Sequence, residues 1–291
     1  MTGMRIFLAG VVLLMSERLW ADSAREVMQR VDEVMRAGNA STYSIMTLST
    51  CPYSHQSGRL RCSESPRIKK IEAVQRQTGV AQKDSQMVSI ILEPAADRGV
   101  GMLVYSYDDA ARETQSWLYL SALGQVKRII GGGDEHSEPV SFFGSELTTE
   151  DMQSGKLDEY DYTLISEEVY RQRPVWVIDV RPHAERLKKS RYGKTRVWVD
   201  KARFLLLKSQ SDDKQGQAYK RMIASEIEQI KGVWVARSVL MMNLQNRRLT
   251  QMRLSEVVFN VTVPVGFLTQ RSLTDFSFRE RVLRHFRTLV P

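Results

Sequence analysis

From residue 42 to residue 260 the chain is written in short runs of alternating apolar and polar side chains, punctuated by turn residues. Val175 and Val177, Val197 and Val199, and Met222 and Ala224 are typical pairs. A period of two sends successive side chains to opposite faces of a sheet. Such a stretch can fold into little other than antiparallel strands with one face covered and one face wet. The pattern predicts strands over 42–50, 68–77, 85–93, 101–107, 115–120, 125–130, 159–170, 174–181, 193–199, 204–209, 217–230, 233–243 and 249–260. Turns fall at Ser121 to Gly124, Asp200 to Arg203, Lys231–Gly232 and Asn243 to Arg248. No repeat period or low-complexity linker divides these runs. Residues 22–291 therefore read as one domain, a strongly curved antiparallel sheet with helices packed inside the curve.

Helical spacing replaces the period of two at both ends. Over 23–37, Val27, Val31, Val34 and Met35 recur on one stripe, flanked by Ala24 and Met28. Ser23 and Glu26 form an S-x-x-E capping box, and Gly38 stands where a left-handed C-cap is wanted. The stripe reads as a face turned to the core. Residues 277–289 are a short closing helix. Residues 1–21 lie outside the fold: Arg5 supplies a positive start, Ile6 to Met15 an apolar run, and Leu19 and Ala21 a cleavage site. That order is a secretory signal peptide. The apolar run falls short of the about 20 residues a membrane-spanning helix needs. Export places the remainder in the periplasm.

An exported chain meets an oxidising compartment, so Cys51 and Cys62 are expected to form a structural disulfide. The chain is basic, at +8, but Arg and Lys are scattered through the strands and gather on no single helix. Export and that scatter exclude nucleic acid and leave a membrane or a partner protein as the object of the charge. The four histidines, His55, His136, His183 and His285, show no metal-ligand spacing, and no metal or cofactor is expected. Asp134, Glu135 and His136 read as solvated charge in a glycine-rich loop. There is no G-x-S-x-G elbow, Walker loop or G-x-G-x-x-G. Glu150–Asp151 and Asp158–Glu159 are adjacent in sequence and so cannot face one another across a substrate. No catalytic constellation is visible, and the chain does not read as an enzyme.

The segment 131–158 interrupts the strands with Gly131 to Gly133, several acids and the pair Phe142–Phe143, and Thr148 or Thr149 is placed to cap a short helix. It is too long for a hairpin loop. Taken in order, the SWLYLSALGQVKRI hairpin of 117–130, the FFGSELTTED segment of 142–151, the VWVDKARFLLLKS pair around Trp198 and Asp200, and the RLTQMRLSEVVFN…PVGFLT run of 248–269 resemble the periplasmic outer-membrane lipoprotein-sorting, or LolA-like, family. The resemblance covers most of the chain after the signal, and the insert holding Cys51 and Cys62 departs from it.

That resemblance implies an unclosed half β-barrel, mainly β, with helices as a lid over a hydrophobic cavity. It also implies a carrier of lipid or lipoprotein acyl chains travelling toward the outer membrane. The nearest branch, the larger sorting-like proteins, implies an inner-membrane RND-type exporter as partner. A second reading is an envelope-stress sensing or adaptor module of the same fold. Burial of each methylene is worth about 0.8 kcal/mol, so an acyl chain can bind without polar contacts. The candidate cavity and lid residues are Trp117, Tyr119, Phe142, Phe143, Trp198 and Met222, with Gly131 to Gly133 as a hinge that lets Phe142 and Phe143 rest over the opening.

Overall fold

The computed structural model describes residues 24–36, 40–56, 58–109, 111–129, 140–152 and 156–290. The signal segment, Ser23, Gly38, Gly131 to Gly133 and the 134–136 cluster lie outside the described residues. One antiparallel sheet of fourteen strands dominates. In chain order they are β1 (Ser41–Gln56), β2 (Arg59–Cys62), β3 (Arg67–Thr78), β4 (Asp84–Glu93), β5 (Gly101–Ser106), β6 (Gln115–Leu120) and β7 (Gln125–Ile129). The second half holds β8 (Tyr160–Tyr170), β9 (Arg173–Pro182), β10 (Tyr192–Asp200), β11 (Leu206–Asp213), β12 (Ala218–Ile230), β13 (Val233–Asn243) and β14 (Arg248–Phe259).

The spatial order is β7-β6-β5-β4-β3-β1-β14-β13-β12-β11-β10-β9-β8, with β2 paired to β1 alone. Two meanders are joined where β1 lies against β14, from Thr42 opposite Phe259 to Pro52 opposite Arg248. The path ends in two separate edges, β7 and β8, so the sheet is not closed into a barrel. Bulges at Ile45/Met46, Lys70/Ile71, Leu164/Ser166 and Trp198/Val199 bend and twist it. It curls far enough that Lys156, ahead of β8, donates to the Asp109 carbonyl beyond β5 at 2.6 Å, and Lys189 pairs with Glu113 at 3.3 Å.

Each predicted strand has a counterpart, from β1 and β3 to β14. The short helix expected after Thr148 or Thr149 is α2 (Thr149–Met152), while β2, α3 (Ala184–Lys189) and α4 (Gln270–Thr274) lie in segments to which the sequence pattern assigns no element. Helix α1 covers residues 24–36, and α5 spans Phe276–Arg287. Among the described residues no helix is long and apolar enough to cross a membrane. Cys51 and Cys62 are bonded, with Cα atoms 5.7 Å apart, and tie β1 to β2 where β1 leaves the main sheet.

The expectation of one wet face fails in the middle of the sheet. Ile71 to Val74, Val88 to Ile91 and Gly101 to Val104 are buried without a break. Strands covered on both sides lose their alternation in exposure. On one face Met46, Leu48, Ile71, Ala73, Ile91 and Met102 pack under the 140–152 segment. On the other, Tyr43, Val74, Val88, Ile90, Leu103 and Val258 pack under α4 and α5. The closing helix therefore sits on the side away from α1, not inside the same curve. Its anchor is ionic as well as apolar. The Arg287 guanidinium reaches Glu72 at 2.5 and 2.8 Å and Glu280 at 2.8 Å, and the Tyr43 hydroxyl donates to Glu72 at 2.6 Å.

Candidate ligand cleft

Helix α1 lays Ala24 and Val31, with Val27 and Met28 beside them, on Tyr162, Ile178, Val197 and Val199 of β8, β9 and β10. The apolar stripe predicted from spacing is the face that docks, while Met35 near the helix end stays half-exposed. The helix also bridges the two halves of the curl. Arg25 reaches the Leu157 carbonyl and the Asp158 carboxylate, and Arg36 donates to the Ala81 carbonyl beyond β3 at 3.3 Å.

Beneath it lies a cleft of about 240 Å³. Met28, Val31 and Met35 form its roof, and Leu157, Tyr162, Val180, Val197 and Leu206 form its floor and wall. Ser106 of β5 closes it from the far side. A smaller pocket of about 50 Å³ continues past Ser106 among Met87, Val104, Phe142 and Met152.

One end of the cleft is polar. Thr148 caps α2: its hydroxyl lies 3.4 Å from the Asp151 amide, and its amide and hydroxyl both donate to the Asp151 carboxylate at 2.8 Å. Asp151 also takes the Lys220 ammonium at 2.7 Å and the Tyr192 hydroxyl. Glu150 accepts from Arg186 at 3.0 Å, Ser190 at 2.5 Å and the Arg191 amide at 3.2 Å. Every carboxylate oxygen in this network is thus engaged, so it serves as a rigid end wall.

The cleft is dry enough to move titrations. Burial pushes the Tyr160, Tyr162 and Tyr192 phenols up and the Lys156 ammonium down. Burial also raises the Asp32 carboxyl, which Arg36 only partly offsets.

The sequence candidates divide between the two faces. Phe142, Phe143 and Met222 join one cluster with Leu48, Ile71 and Met241 on the α1 side. Phe142 is wholly buried, its ring centroid 4.8 Å from that of Phe143, and Phe143 holds φ at 52° to turn the chain. The two rings are packed core that reaches the smaller pocket, where the sequence had them resting over an opening. Trp117 and Tyr119 point the other way, into the cluster under α4 and α5, with Trp117 5.1 Å from Tyr105. Trp198 is also on the opposite face from Val197, with the Lys208 ammonium 3.8 Å above its ring. Period two explains all three: Leu118 and Val197 take the α1 side, so their neighbours cannot. The roof residues of α1 carried a signal in sequence, an amphipathic stripe, but one that ordinary core packing also produces.

A family model described as "Uncharacterized protein" matches residues 83–275, more than half of the chain. The chain belongs to that family. A comparison with curated proteins gave no match. Three solved structures show its fold. A DUF1329 family protein from Desulfovibrio piger is 24% identical, with a TM-score of 0.76 over 87% of this chain and 99% of that one. A chain from Vibrio parahaemolyticus described as an outer membrane lipoprotein-sorting protein domain is 22% identical, with a TM-score of 0.73 over 87% and 99%. A LolA superfamily protein from Nitrosomonas europaea is 14% identical, with a TM-score of 0.62 over 84% and 97%. The family member described here therefore has the LolA-like fold that its sequence segments resemble.

Proposed function

We propose that this protein is a carrier that holds a lipid or lipoprotein acyl chain in the cleft under α1. The observation that carries the reading is an apolar cleft roofed by one helix across the open side of an unclosed sheet. Its apolar lining offers about 0.8 kcal/mol for each methylene it takes from water. Ligand pockets usually span about 300–1,000 Å³, and the present 240 Å³ falls just below. A long chain enters only if α1 moves off the floor, and the salt bridge that holds the start of α1, Arg25 to Asp158, is solvent-exposed and worth at most about 1 kcal/mol. The description of the Vibrio parahaemolyticus neighbour supports lipoprotein as cargo.

The same reading includes export to the periplasm, which rests on the signal-peptide order of residues 1–21, and delivery in concert with an inner-membrane RND-type exporter, which rests on the sequence resemblance. Native mass spectrometry of protein isolated from the periplasm tests the core of it. The expected spectrum shows a chain beginning near Asp22 with a co-purified lipid adduct that collisional activation releases. A lipid-free chain after gentle isolation, which also takes up no lipid from vesicles, would overturn the carrier assignment.

A further inference from the structure

On the face away from α1, a second groove of about 620 Å³ opens between β4, the turn after it, the end of β6, and helices α4 and α5. Ile90, Tyr119 and Leu273 give it an apolar lining, and Phe276, 65% exposed, stands at its rim. Three arginines, Arg98, Arg279 and Arg287, outnumber the two carboxylates, Glu93 and Glu280, in its lining. Only Arg287 has carboxylate partners, Glu72 and Glu280. Arg98 donates its Nε to the Leu92 carbonyl at 3.1 Å and has no ion pair among the described residues.

Arg279 is the unusual one. It is 4% exposed, yet no carboxylate lies within ion-pair distance of it among the described residues. One nitrogen, Nη1, donates to the Ser272 and Leu273 carbonyls at 2.9 and 3.0 Å, while the buried Nε has no acceptor. A buried cation with an unused donor costs stability unless something pairs with it. Burial accordingly holds the Arg279 pKa below the usual arginine range. The acids nearest to it, Glu280 and Glu72, both pair with Arg287, Glu280 from within the lining of the groove.

We propose that this groove is a second binding site, for an anionic amphiphile whose carboxylate or phosphate head meets Arg279 and Arg98 and whose apolar body lies against Tyr119, Leu273 and Phe276. An anion there makes a charge-assisted bond to each guanidinium, at Arg279 through Nη2, which no hydrogen bond occupies among the described residues. The site is separated from the α1 cleft by the sheet and does not rest on the carrier assignment.

The test uses the intact protein and three probes: dodecyl phosphate, dodecanoate and uncharged dodecan-1-ol. The Nε–H resonance of Arg279, assigned by its loss in Arg279→Lys, is followed by NMR, and affinity is read by calorimetry. Both anions or one of them should shift the resonance saturably, and the alcohol should not; the tighter anion identifies the head group as carboxylate or phosphate. Arg98→Gln and Phe276→Ser, both surface changes, should each weaken that binding about tenfold, the equivalent of 1.4 kcal/mol. A resonance that stays fixed with both anions up to their solubility, or that moves as much with the alcohol, overturns the proposal. So does wild-type affinity in both surface variants.

Discussion

Helices α5 and α1 lie on opposite faces of one sheet and are attached by different means. Under α5, Leu283 and Phe286 are buried against Tyr43, Val74 and Val258, and Arg287 closes on the fully buried Glu72. Under α1, only Ala24 and Val31 are fully buried, and the polar ties, to Asp158 and the Ala81 carbonyl, are solvent-exposed. The same sheet thus carries a wall on one side and a lid on the other. Local opening is easiest where few apolar contacts and mostly exposed polar bonds hold an element. A carrier needs that asymmetry: one face must keep the sheet curved while the other admits and releases cargo.

The comparison breaks first at Glu72. Glu72→Ala leaves Arg287 with half its partners and Tyr43 with no acceptor, and should cost about 3–5 kcal/mol in urea unfolding. A loss under about 1 kcal/mol would mean that α5 is no wall. Val31→Ala, which trims the one buried valine of the lid, should cost about 1–2 kcal/mol and raise hydrogen exchange in α1 while leaving the amides of α5 protected. Equal loosening of both helices would erase the distinction. Arg25→Ala removes only an exposed pair and should change stability by less than about 1 kcal/mol.

The smallest effects concern pH, and their signs oppose one another. Asp32 of α1 faces the cleft, and burial, only partly offset by Arg36, raises its carboxyl above the usual aspartate value. A raised value in the folded state means its contribution is fully present below about pH 3.9, the unfolded value, and is lost as pH rises through the folded one. Asp179 on the other face is buried too, but Arg196 binds it at 2.6 and 3.0 Å and lowers it overall. Its contribution is present above about pH 3.9 and is lost as pH falls through the depressed value. Relative to wild type, Asp32→Asn should gain stability between pH 3 and 7 and Asp179→Asn should lose it. Slopes of the same sign would show that the cleft is not the drier of the two environments.

Much of this architecture is legible in the sequence because period two and turn residues are local. Lys231–Gly232 marks the β12–β13 turn, with φ of 48° and 86°. The β8–β9 turn, Arg171–Gln172, adopts the same left-handed pair at 50° and 64° without glycine or asparagine to announce it. Phe204 also takes a positive φ, which extends the turn and delays β11 to Leu206. Coverage of a face is not local. Glu72 stands among Ile71, Ala73 and Val74 as a charge in an apolar run, and only the arrival of Arg287, 215 residues later, explains it. For the same reason sequence could pair Trp117 with Tyr119 on one face but not say that α4 and α5, rather than the lid, would cover them. Arg279 offered no signal at all, since its isolation follows from where two glutamates turn.

The central claim is that an acyl chain occupies the cleft between α1 and the sheet. The most direct measurement is fluorescence titration of methyl cis-parinarate, an uncharged polyene that the arginine groove has no charge to recognise. Met28→Asp and Leu206→Asp place a carboxylate in the roof and the floor of the cleft, and Trp117→Phe changes the opposite face as a control. Saturable binding by wild type and Trp117→Phe, with affinity at least about tenfold weaker in both aspartate variants at near-normal melting temperature, is the predicted result; tenfold corresponds to about 1.4 kcal/mol, or roughly two methylenes. Undiminished binding in the folded aspartate variants, or no binding by the wild type, would contradict it.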